Sequence, residues 1–169
     1  MSGRRAAVLA VMALAMFALK RHYSTAEVED LRWILWPTST LVALVSGSAF
    51  EFERGAGYLS REHFFVIEKS CAGLNFMIAA LGMIGFRLSR DAGRARPGAW
   101  IVAQSVAQSV ALSYAAAVLV NTLRILVAIW LSSADLPSGW WTAPRVHRLE
   151  GIAVYFGALM VLNQMARAT

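Results

Sequence analysis

The sequence predicts an all-α integral membrane protein. It is expected to have about five transmembrane helices, with a short extracytoplasmic β-hairpin or extended flap ahead of the third core helix. Three observations carry this. Of 169 residues, 58% are hydrophobic and only 15% charged, and the chain holds six Trp and seven Met. Mean hydropathy is +0.54. Five apolar segments, at about 6–19, 33–50, 72–86, 99–131 and 149–163, approach bilayer-crossing length. Between the second and third lies a stretch with strand periodicity and a turn signal.

The first segment follows Arg4 and Arg5 and ends at Lys20-Arg21-His22. No small-residue cleavage site follows it, which predicts an uncleaved first helix rather than a signal peptide. After the second segment, Phe50 and Phe52 alternate with Glu51 and Glu53, then "RGAG" marks a turn. "YLSREHFFVIEKS" continues, rich in aromatic and β-branched residues. This predicts the hairpin or flap, with an interfacial amphipathic helix as the alternative. The fourth segment, if helical, is about 50 Å long against a hydrocarbon core of about 30 Å, so it must tilt, project or break. Residues 132–146 hold Pro137, Gly139 and Pro144 and are expected to be an irregular loop. Trp140 and Trp141 within it suit interface anchors.

Orientation rests on "RLSRDAGRARPG", residues 87–98, where Arg87, Arg90, Arg94 and Arg96 face one Asp. Such a short basic loop is expected on the cytoplasmic side. Five crossings then place Cys71 and His147 outside and Arg167 inside. The loop bearing Lys20, Arg21 and Arg32 falls inside, and the N-terminus outside. The expected location is the plasma (inner) membrane, as a single polytopic domain spanning 1–169. The net charge of +6 is assigned to membrane-flanking arginines, with the bilayer and not nucleic acid as partner. His22, His63 and His147 are far apart and one cysteine makes neither CxxC nor a disulfide. No metal or other cofactor is expected.

Three residues stand out chemically. Arg124 is the only charge between Trp100 and Leu131. A lone arginine deep in a bilayer costs between about 3 and 17 kcal/mol, which makes it a functional candidate; the alternative is snorkelling to phosphates. Ser109, Ser113, Ala117 and Arg124 fall within about 80° on one helix face, with Asn121 one turn before the arginine. That stripe suggests a polar cavity, or ordinary helix packing through small residues. His147 opens the last segment with Glu150 and Gly151 at i+3 and i+4, and can act as base and acid or serve as an interfacial histidine. Cys71, the sole thiol, is a nucleophile if a cation or base activates it, and otherwise a small buried hydrophobe. Under the expected topology all three lie at outer segment ends, the arrangement acyl transfer needs, with arginine stabilising the oxyanion. Gly73 beside Cys71 would let a substrate backbone approach closely.

"FFVIEKSCAGLNFM", "NTLRI" and "HRLEGIAVYF" together resemble three blocks of the exosortase/archaeosortase family of membrane cysteine transpeptidases. The resemblance covers roughly residues 50–165 and looks most like the compact branch called exosortase K. Ala72 replaces the serine usual after the cysteine. The resemblance implies cleavage of a C-terminal sorting signal, made of a short motif, a transmembrane helix and a basic tail. Cys71 would form a thioester, His147 would move the proton, and Arg124 would hold the oxyanion. An envelope nucleophile would then take the acyl group. Asn121 and Glu150 would orient Arg124 and His147, and Glu68, Gly73 and Ser113 are weaker candidates for substrate contact. The competing expectations are a non-enzymatic membrane assembly or transporter subunit, and a different intramembrane hydrolase.

Overall fold

The computed structural model describes residues 3–62, 64–94, 99–132 and 143–168. Side chains are not described at 91–94, 99, 143, 144, 147 and 166–168. The described residues are mostly helical: α1 (Gly3–Thr25), α2 (Arg32–Ser46), α3 (Leu74–Arg94), α4 (Ala99–Ser132) and α5 (Ala143–Ala168), with strands β1 (Glu51–Glu53), β2 (Gly57–Ser60) and β3 (Phe65–Ile67). Among the described residues, three stretches are long and apolar enough to cross a membrane: Gly3–Thr25, Lys69–Arg90 and Trp100–Ser132. The chain forms two compact units. The first holds Met1–Thr25, Leu74–Ala117 and Val161–Thr169; the second holds Ala26–Gly73 and Val118–Met160.

In the first unit α1 packs on α3 around Val8, Met12 and Leu81, with Met16, Leu19 and Val106 against them. A side chain at Gly85 would collide with Met12, and one at Gly82 would crowd Met16. Two missing side chains thus let the helices approach closely, as small residues do in membrane bundles. The helices run antiparallel. Lys20 Nζ donates to Asn75 Oδ1 at 2.9 Å. At the far end the Arg5 and Arg90 guanidiniums lie 5.6 and 4.9 Å from the Phe86 ring centre. This corrects the expectation that the N-terminus and the 87–98 stretch lie on opposite sides: Arg5 and Arg90 share one aromatic ring. It also shortens the expected basic loop, because α3 continues to Arg94. Cations in the last turns favour the helix C-terminus, and Pro97 shortly after suits its end. Arg96 lies outside the described residues.

α4 is one helix of 34 residues, about 51 Å long. It does not break. α5 starts at Ala143, before the expected segment, so Pro144 falls in the first helical turn, where its missing N–H has no role. Pro137, Gly139, Trp140 and Trp141 lie outside the described residues.

In the second unit α2 buries Ile34, Leu35, Thr38, Ser39 and Val42. It has 15 residues, interrupted by Pro37, and so measures about 22 Å. Gly47, at φ 72°, caps it by donating its N–H to Ala43 O. The chain then forms an antiparallel sheet in the order β1-β2-β3. Phe52 pairs with Tyr58, and Tyr58 with Ile67. The Phe52 and Tyr58 rings meet edge to face at 5.2 Å. The expected hairpin is present as β1 and β2, joined through Gly55 at φ 75°. The residues after β2 do not continue as one long strand but fold back as β3. A side chain at Gly57 would collide with the Ile67 carbonyl, so glycine sets how closely the backbones lie. The start of α2 returns to the sheet, with the Arg32 guanidinium 4.5 Å above the Phe52 ring.

Glu29 closes the β1–β2 turn by accepting the Gly55 N–H at 2.8 Å. That hydrogen bond lowers the carboxyl pKa from its ordinary value. The contribution is therefore complete above the free-glutamate value of about 4.3 and is lost as pH falls through the lower folded value. Hydrogen exchange at the Gly55 amide is expected to quicken, relative to Ala56, only on acidification below about pH 4.

Candidate functional site

The lead-in to the cysteine is built by backbone geometry. From β3 the chain passes extended Glu68 into a single 3-10 turn, Lys69–Cys71. Cys71 N donates to Glu68 O at 2.9 Å and Ala72 N to Lys69 O at 3.1 Å. Gly73, at φ +67°, then redirects the chain into α3. This is the left-handed region, which glycine enters without strain. Lys69 Nζ reaches the Ala26 carbonyl at 2.6 Å and ties the turn to the start of the unit. Glu68 is exposed and accepts from the Ser70 hydroxyl at 2.6 Å. Cys71 is 3% exposed, with Ser70 Oγ 3.9 Å from its sulfur.

A polar network from α4 and α5 lies in the same unit. Asn121, fully buried, donates from Nδ2 to the Cys71 carbonyl. Its other end, Oδ1, accepts the Tyr155 hydroxyl at 2.8 Å. The Arg124 guanidinium carbon lies 5.3 Å from the Tyr155 ring centre. Arg124 Nε stands 3.8 Å from Glu150 Oε2. Both residues of that pair are 8% exposed.

Two glycines shape this network. A Cβ on Gly151 would lie 2.8 Å from Arg124 Nε, so the bare backbone of α5 makes the room in which the guanidinium sits. A Cβ on Gly73 would lie 3.1 Å from Asn121 Cγ. Gly73, expected to admit a substrate backbone, thus faces the Asn121 side chain.

The structure therefore gathers Cys71, Asn121, Arg124, Glu150, Gly73 and Glu68 into one unit. Glu150 pairs with Arg124, while Asn121 holds the Cys71 carbonyl. Ser113 belongs to the other unit. It is buried there, and its hydroxyl donates to Val110 O at 2.9 Å within its own helix. Ser109 does the same toward Ser105 O. These two hydroxyls are satisfied locally, as in ordinary helix packing. His147 falls on α5 one turn before Glu150, and its side chain lies outside the described residues. Sequence reasoning missed Tyr155. The available signal was its i+4 spacing from Gly151, which puts it on the same face of α5 as the glycine that accommodates Arg124.

Chemically, the site presents one thiol and a guanidinium with several N–H donors, held by a carboxylate and a phenol. Among the described residues no group of three or more His, Cys, Asp or Glu could hold a metal ion. No family model, curated protein or solved structure matches this chain.

Proposed function

We propose that this chain is a membrane-embedded cysteine transpeptidase or peptidase of exosortase type, which cleaves C-terminal sorting signals outside the plasma membrane. The observation that carries this reading is the buried Cys71, whose carbonyl is held by Asn121, in one unit with a buried Arg124 flanked by Glu150 and Tyr155. A structural arginine needs only a counter-ion; this one shares the tyrosine that bonds the asparagine on Cys71. In the reaction, the Cys71 sulfur attacks the carbonyl carbon of the scissile peptide bond. Arg124 donates hydrogen bonds to the resulting oxyanion. Collapse expels the amine of the leaving segment, to which His147 delivers the proton taken from the thiol. A nucleophile from the envelope then attacks the thioester and releases Cys71. No cofactor is needed for this sequence.

The membrane arrangement in this proposal has four crossings, α1, α3, α4 and α5. α2 lies on the outer side beneath the sheet. Its short length and its return to Phe52 support this, as does the shared position of Arg5 and Arg90, which becomes cytoplasmic. The N-terminus is then inside, and Cys71 stays outside.

The test is Cys71→Ala in cells that make a protein ending in motif, helix and basic tail. Loss of processing, with the variant present in the membrane at normal levels, is the expected result. Continued processing would sink the enzyme assignment. The mass of the wild-type product separates transfer to an acceptor from simple hydrolysis.

A further inference from the structure

Tyr155 enters no step of the proposed reaction, yet it stands between Arg124, which does, and Asn121, which holds the Cys71 carbonyl. Its ring lies beside the Arg124 guanidinium, 5.3 Å from the guanidinium carbon, and its hydroxyl donates to Asn121 Oδ1. A phenol has one proton to give and can accept in return. The asparagine amide has distinct ends, and only its oxygen can accept from the tyrosine. That choice turns the NH2 group toward the Cys71 carbonyl, which accepts it. A cation beside the ring polarises the phenol and strengthens the bond it donates. With Gly73 packed against Asn121, the amide has little room for another placement.

We propose that Tyr155 is a positioning residue for the nucleophile: its hydroxyl couples the placement of Arg124 on α4 to the backbone of Cys71 through the Asn121 amide. This rests on the assignment of Cys71 as the nucleophile. Without the hydroxyl, the bond that fixes the Asn121 amide is lost, and its hold on the Cys71 carbonyl weakens. The ring beside the guanidinium also loses its tether to that amide.

The experiment uses the full chain in detergent or liposomes and follows alkylation of Cys71 by iodoacetamide as a function of pH. It compares wild type, Tyr155→Phe, Asn121→Ala and the double variant. Tyr155→Phe keeps the ring and removes only the hydroxyl. The rate at neutral pH is expected to fall about five-fold, the worth of one neutral hydrogen bond. The rate–pH profile is expected to move to higher pH. Loosened packing alone would scale the rate by one factor at every pH. Asn121→Ala is expected to give a displacement in the same direction, and adding Tyr155→Phe to it should displace the profile less than in wild type. A Tyr155→Phe profile that superimposes on wild type, or differs by a pH-independent factor, overturns the proposal. Should Tyr155→Phe not fold, an Asn121→Ala profile unchanged in shape does the same. Alkylation needs no peptide substrate. A displaced profile beside surviving processing in Cys71→Ala would retain the positioning role and remove the transpeptidase. An undisplaced profile beside lost processing would remove only the role of Tyr155.

Discussion

Glu150→Leu is expected to destabilise the protein by about 3–5 kcal/mol, far more than an ordinary surface substitution. Arg124 and Glu150 are each 8% exposed, and their closest approach is 3.8 Å. That is longer than a good charge-assisted hydrogen bond, so the pair gains less from direct contact than from mutual neutralisation. Removing the carboxylate leaves a guanidinium that cannot lose its proton and has little solvent to turn to. The double variant Arg124→Met with Glu150→Leu removes both charges and is expected to recover most of the loss. Replacing a whole buried pair with apolar side chains is often neutral. Unfolding midpoints in detergent for the two single variants and the double one complete the cycle. If Glu150→Leu alone unfolds within about 0.5 kcal/mol of wild type, the carboxylate is not the partner that keeps Arg124 buried.

The sequence showed the helical segments because bilayer length and apolar composition are local properties, readable residue by residue. α1, α3, α4 and α5 all fall where apolar runs are found. Their arrangement was less legible, because counting crossings treats every apolar run as equivalent. α2 packs against the sheet. Its limited length and Pro37 were visible, but its return to Phe52 depends on a tertiary contact. The N-terminal arginines were likewise legible as charges, but their partner was not: Phe86 lies 81 positions from Arg5 in the sequence.

At the site, Arg124 was legible because a charge in an apolar helix must have a reason. Tyr155 was not, since a tyrosine in such a helix is compatible with plain packing until its hydroxyl is seen to bond Asn121. Asn121 was found by its spacing from Arg124, yet its side chain serves Cys71. On a helix, residues three apart share a face without being obliged to bond each other.

Gly151→Ala is expected to lower Cys71-dependent processing by about 10²–10³-fold, as loss of one oxyanion donor does, while leaving the fold intact. The added methyl group would lie 2.8 Å from Arg124 Nε, closer than these two atoms can remain. The helix backbone gains from the change, because alanine is the better helix former by about 1 kcal/mol. The guanidinium, at the end of a flexible side chain, is what moves. Stability and activity therefore separate: the unfolding midpoint holds or rises while turnover falls. The displaced group is Arg124, so the same change in an Arg124→Ala background is expected to cause no further loss of activity. Processing assays on the four combinations, at matched membrane levels, measure this. Full activity in a stable Gly151→Ala variant would mean that the guanidinium does not act from the place it occupies beside Glu150, and the oxyanion role assigned to Arg124 would fall with it.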